Sequence, residues 1–181
     1  AAESVESDDK TTWTITLRDG WTFHDGTPVT AQDYVDSWNA VALGTNAFAN
    51  SGQLASIEGY ADLNPAEGEP TADTMSGLEV VDDHVFTVSL SQPDSQFPVQ
   101  LSQAQTAFYP MPQSAFDDLA AYGKKPIGNG PLALTTEWVE GEPLVAERFD
   151  DYEGTEPTVD KITWVPYSDR LTAYTDALAG N

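Results

Sequence analysis

From Thr12 to Leu17 the chain alternates, with Trp13, Ile15 and Leu17 separated by threonines. A period of two with β-branched spacers predicts a half-buried strand. Asp19-Gly20 and Asp25-Gly26 mark two turns, with Trp21 and Phe23 between them. After Thr30 the period changes. Tyr34, Val35, Trp38, Val41 and Ala42 fall on one face at helical spacing, which predicts a helix over 31–43. Thr30 is its N-cap, Asp33 stands at the capping-box position, and Gly44 ends it. Residues 59–76 are poor in large apolar side chains and rich in Glu, Gly and Pro, which predicts a surface excursion. Phe86, Val88 and Leu90 then alternate with Val85, Thr87 and Ser89. Gly77–Val81 reads as the hairpin partner of this strand, with Asp82-Asp83 at the turn.

Farther along, Ser114 and Asp117 repeat the capping pattern for a short helix through Phe116, Leu119, Ala120 and Tyr122, stopped by Gly123. Leu132–Trp138, Leu144–Phe149 and Ile162–Tyr167 are strand candidates. Ser168 is expected to cap a last helix through Leu171, Tyr174 and Leu178. Strands and helices mix without a strict βαβ rhythm, so the expected class is α+β, a mixed sheet with flanking helices. Trp13, Trp38, Trp138 and Trp164 lie on the apolar faces of these elements and are expected in the core.

Composition narrows the function. The chain has 181 residues, 40% of them hydrophobic, enough for a real core. No run approaches the ~20 apolar residues of a membrane span, so no membrane insertion is expected of this segment. Ala1-Ala2-Glu3 carries neither an initiator Met nor an apolar signal stretch, so an export signal is expected to have been removed or never included. Thirty acids against seven bases leave a net charge of −23, which repels phosphate backbones and excludes nucleic acid as a partner. Zero cysteines remove disulfides, thiolate catalysis and Cys-zinc sites.

Candidate chemistry is sparse. The two histidines, His24 and His84, each adjoin an aspartate, a pairing that could serve catalysis or a metal. Both lie in predicted turns, however, where Asp is expected on backbone grounds, and no H-x-x-x-H spacing supports zinc. The acid pairs Asp8-Asp9, Asp82-Asp83, Asp117-Asp118 and Asp150-Asp151 read as solvated faces. A polysaccharide hydrolase using a carboxylate pair is one alternative from another class, and a cell-surface adhesion module is a second. Gly128-Asn129-Gly130 is followed by Pro131 and lacks the Lys-Ser/Thr of a phosphate loop. No metal or cofactor is expected.

Read together, these segments resemble one family. Trp13 to Trp38, with Leu17-Arg18-Asp19-Gly20 and Phe23-His24-Asp25-Gly26-Thr27-Pro28-Val29-Thr30-Ala31 at its centre, resembles the signature stretch of family 5 solute-binding proteins. These are the oligopeptide and dipeptide receptors of ABC importers. Val81–Leu90, Pro126–Pro131, Leu144–Gly154 and Val159–Asn181 resemble later family motifs, in the family's order. The resemblance implies most of one lobe of a two-lobed, periplasmic-binding-protein-like (type II) fold. Residues 1–117 would be the outer subdomain, and 118–181 part of the core subdomain, ending near the hinge into an absent second lobe. It also implies a non-catalytic, extracytoplasmic receptor, lipid-anchored in the intact protein, with a peptide ligand and ABC permease subunits as partners. Alignment through Thr45–Asn50 marks Phe48 as an aromatic ligand contact, with Asn46 beside it. His24 and Asp25 are implied to serve the fold and not chemistry.

Overall fold

The computed structural model describes residues 2–103 and 108–180. Asn181, the last residue of the final family motif, lies outside them. The strand expected at Thr12–Leu17 forms with those bounds as β2, its odd-numbered residues buried. It pairs on one side with β1 (Ala2–Glu6), which the hydropathy pattern did not reveal. That edge strand has only Val5 as a large apolar residue and a register shift between Ala2 and Ser4. Its backbone pairing comes from its neighbour and owes little to periodicity.

β3 (Leu78–Asp82) and β4 (Val85–Ser89) form the expected hairpin, completing an antiparallel sheet of order β1-β2-β4-β3. The turn is Asp83-His84 and not Asp82-Asp83, because Asp82 still pairs with Val85 and its carboxylate accepts from the His84 N–H at 2.8 Å. That turn anchors its surroundings: the Asp83 carbonyl accepts from Ala31 N–H, and the His84 carbonyl from Leu17 N–H.

α1 (Ala31–Ala42) lies across this sheet. Its capping box is complete, with Asp33 Oδ2 accepting from Thr30 N–H at 2.8 Å and Thr30 Oγ1 accepting from Asp33 N–H. Trp38 meets Phe86 edge-on at 5.6 Å, and Tyr34 stacks on the same ring at 5.7 Å. The buried face is wider than the apolar stripe, since Asp33, Ser37 and Asn39 are buried with it. Each has a partner. Ser37 Oγ donates to the Asp33 carbonyl and accepts from Met111 N–H, while Asn39 Oδ1 accepts from Met75 N–H at 2.8 Å.

The reading of 59–76 as a surface excursion is corrected. α2 (Tyr60–Leu63) forms within it, and Leu63 and Met75 are among the most buried side chains of the core. Two anchors twelve residues apart have no period to detect. Beyond β4, α3 (Phe97–Leu101) places Phe97 against Trp13.

The helix expected from Ser114 to Tyr122 is broken in two. A 3-10 turn spans Gln113–Asp117 with Pro112 at its N-cap, and α4 (Leu119–Tyr122) starts afresh from Asp118, whose carboxylate accepts from Ala121 N–H. Asp118 carries φ −156° and ψ 90°, extended values that no helix accommodates.

A second antiparallel sheet follows, of order β5-β6-β7, from Leu132–Leu134, Leu144–Arg148 and Lys161–Trp164. The first and third are shorter than the apolar runs suggested. Trp138 and Trp164, expected in the core, are 55% and 49% exposed. The first run carries Thr135, Thr136 and Glu137 ahead of its indole, and both indoles stay about half open to solvent. α5 (Arg170–Ala179) is capped by Asp169, not Ser168: Asp169 accepts from Thr172 N–H at 2.9 Å. Leu171, Tyr174 and Leu178 are its exposed apolar residues. The α+β class expected from the element rhythm is what the chain adopts.

Candidate functional site

The signature segment folds as a narrow hairpin between β2 and α1. Trp21 O accepts from Val29 N–H, and Thr27 O from Phe23 N–H, which buries Phe23 fully. Asp25 Oδ1 accepts from both the N–H and the hydroxyl of Thr27, while Gly26 takes φ +84°, a conformation that favours glycine. Asp25 is thereby spent on the turn. At its tip the hairpin reaches the segment before β5. His24 contacts Gly128 and Gly130 through both ring nitrogens and lies edge-on to Phe149, and Trp21 lies edge-on to Tyr152.

Two cavities flank this junction. One, of about 370 Å³, is walled by Trp21, Tyr34, Trp38, Phe86 and Tyr152. The other, of about 510 Å³, is walled by His24, Met111, Tyr122, Ile127 and Leu132. Tyr109, Asn129 and Gly130 line both. Burial pushes the Tyr34 hydroxyl far above the usual tyrosine range, against the opposing pull of a hydrogen bond with Asn129. Burial likewise pushes Tyr122 up to about 12, although its hydroxyl donates to the Ile127 carbonyl at 2.7 Å. Both stay neutral at ordinary pH, so these walls offer apolar surface and neutral hydroxyls. Periodicity did not mark Tyr109, Asn129 or Tyr152; the one local signal was the pair of glycines around Asn129.

The marked ligand residues sit elsewhere. Asn46 closes a 3-10 turn, Gly44–Asn46, and its Nδ2 donates to the Ala40 carbonyl at 2.8 Å, tying the turn to the end of α1. Ala47 then takes φ +53°, which turns the chain so that Phe48 projects 38% exposed. Asn46 is thus engaged within the turn while Phe48 projects just beyond it, and neither lines the two cavities.

The acid pairs and histidines do not converge. Asp9 accepts from Thr11 and Thr12 N–H, bonds that hold its carboxyl below the usual range. Asp82 and Asp118 serve a turn and a cap in the same way. His84 lies 3.4 Å from Asp19 on the exposed surface. Among the described residues no group of three or more His, Asp or Glu is placed to hold a metal, and no helix is long and apolar enough to cross a membrane.

Comparison with known proteins adds what this geometry alone does not carry. Residues 1–181 match the family described as bacterial extracellular solute-binding proteins, family 5 Middle. The periplasmic oligopeptide-binding protein OppA of Salmonella typhimurium is 32% identical over 177 residues, covering 94% of this chain and 32% of that protein. The solved structure of the Escherichia coli murein tripeptide binding protein MppA matches with a TM-score of 0.82 at 32% identity, covering 99% of this chain and 35% of that one. Haemophilus influenzae OppA, solved in complex with RPPGFSPFR, matches with a TM-score of 0.83 at 28% identity over the same shares. The chain therefore spans about a third of the length of these relatives.

Proposed function

Because the chain belongs to the family 5 bacterial extracellular solute-binding proteins, we propose that it is part of an extracytoplasmic receptor that captures peptides for an ABC importer. The match over residues 1–181 carries this reading. It is supported by relatives named as oligopeptide- and murein-peptide-binding proteins. These names describe binding proteins, and they lend nothing to the hydrolase or adhesion alternatives. Capture is non-catalytic and needs no cofactor. Two lobes close on the ligand, whose backbone pairs as an added strand while roomy pockets take its side chains.

Residues 1–117 then form the outer subdomain of one lobe, and 118–181 part of its core. The division is supported by the two sheets, since β1–β4 all precede residue 118 and β5–β7 all follow it. Phe48, exposed on its turn, stacks against the ligand, with Asn46 beside it. The closed lobes engage the permease, and a lipid anchor holds the intact protein at the membrane.

Calorimetry with short peptides tests this reading. A flexible peptide loses several kcal/mol of freedom on binding, and one wall of a cleft returns about 1 kcal/mol from an aromatic contact. The 181-residue chain should therefore bind dipeptides to pentapeptides with Kd of about 1 mM or weaker, and the full-length protein at about 1 μM or tighter. No binding by the full-length protein to any peptide overturns the peptide reading. Micromolar binding by the shorter chain overturns the position given to the cleft.

A further inference from the structure

Asn129 and Gly130 belong to the wall that the two cavities share, and one side chain grips the Gly128-Asn129-Gly130 segment at both ends. Gly128 N–H donates to His24 Nδ1 at 3.3 Å. His24 Nε2 lies 3.0 Å from the Gly130 carbonyl, which can only accept. A third bond runs backbone to backbone, from His24 N–H to the Gly128 carbonyl at 2.8 Å. We infer that His24 is a latch, held as the neutral Nε2–H tautomer, that fixes the Gly128–Gly130 segment between the cavities and so joins the two sheets.

The tautomer follows from the partners. Nδ1 faces a donor and must present its lone pair; Nε2 faces an acceptor and must carry the proton. An imidazole presents a lone pair and an N–H in divergent directions from one rigid ring, which suits a donor and an acceptor two residues apart. Lysine and arginine offer only donors, and an amide forks both functions from one carbon. The ring itself is held in place by Phe149, edge-on with centroids 5.0 Å apart. Trp21, three residues earlier, packs edge-on against Tyr152, so one hairpin contacts both the glycine segment and the chain just after β6. Tyr34 of α1 and Asn129 line the first cavity together. The latch concerns the internal build of this chain and does not depend on which ligand the receptor takes.

Two measurements on the 181-residue chain test it. Long-range ¹⁵N–¹H correlation on the histidine rings at neutral pH should show His24 with its proton on Nε2. A proton on Nδ1, or a doubly protonated ring, overturns the inference. Amide hydrogen exchange is then compared between the natural chain and His24→Ala. Exchange at Gly128 should accelerate by about tenfold or more, while amides of the first sheet, such as Ile15 and Phe86, stay within about twofold. Unchanged exchange at Gly128, or equal acceleration across the first sheet, overturns a local latch. His24→Asn, which keeps an acceptor near the Nδ1 position, should recover part of the Gly128 protection. If the alanine variant does not fold, the ring tautomer and the asparagine variant decide.

Discussion

Trp38 ties helix, sheet and a distant loop together through one side chain. It is 2% exposed, packs edge-on against Phe86 and Phe108, and donates its indole N–H to the Phe108 carbonyl at 2.8 Å. Trp38→Ala should destabilise by about 3–5 kcal/mol, the usual range for a buried large aromatic. Trp38→Phe should cost less but still measurably, because the Phe108 carbonyl loses its donor. Urea unfolding of both variants checks this, and a silent alanine variant would contradict the packing described. Gly77 is constrained differently. A Cβ there would meet the Ser89 carbonyl oxygen at 2.5 Å and Glu58 N at 2.9 Å, both backbone atoms that cannot swing aside. Gly77→Ala should therefore destabilise by at least about 2 kcal/mol, in the range of overpacked cores. Its melting temperature should fall well below that of Gly52→Ala, where the added Cβ meets nothing within 4 Å.

At the scale of elements, the two longer helices are stabilised by different means. α1 buries a face against the sheet, whereas α5 has no buried residue and relies on its ends. Asp169 accepts from the Thr172 N–H and hydroxyl, and these bonds hold its carboxyl below the usual 3.8. A carboxyl lowered in the folded state stabilises fully above its unfolded value and loses that contribution as pH falls through the folded one. The helicity of 170–179 should thus be constant above about pH 4 and decline below it. Cα chemical shifts across an acid titration measure this. In Asp169→Asn the decline due to this group should vanish, since an amide caps without titrating.

Charge acts on the whole molecule. Among the described residues the ion pairs that Arg and Lys make within 4 Å engage Glu147, Glu156 and Asp160, a small part of thirty acids. Among the described residues Asp33 is the one buried acid; the others lie nearer the surface, several of them accepting from backbone N–H groups at turns. A net −23 spread over such a surface repels itself, and salt screens the repulsion over a Debye length of about 10 Å at 0.1 M. The melting temperature should rise between low and moderate NaCl. A flat or falling trend in calorimetric scans would show that the carboxylates are individually compensated and do not act as a common field.

What was legible in the residues alone was whatever is decided within a few positions. The period-two run at Thr12–Leu17, the Thr30/Asp33 box and the turns at Gly20 and Gly26 depend on local backbone chemistry, and each forms where expected. The family motif was legible for a related reason, being a contiguous string. Partners brought together by the fold were not. β1 is a strand because β2 offers it an edge; Leu63 and Met75 are core because their loop returns under α1 and the sheet; Trp138 and Trp164, expected in the core, stay about half open to solvent. Ser37 and Asn39 lie outside the apolar stripe of α1, and their burial follows from Met111 and Met75, whose N–H groups they accept from. His24 shows the division most clearly. Its turn was written in Asp25 and Gly26, but its proton is assigned only by two glycines a hundred residues away, because a tautomer answers to the donor and acceptor that tertiary structure sets beside the ring.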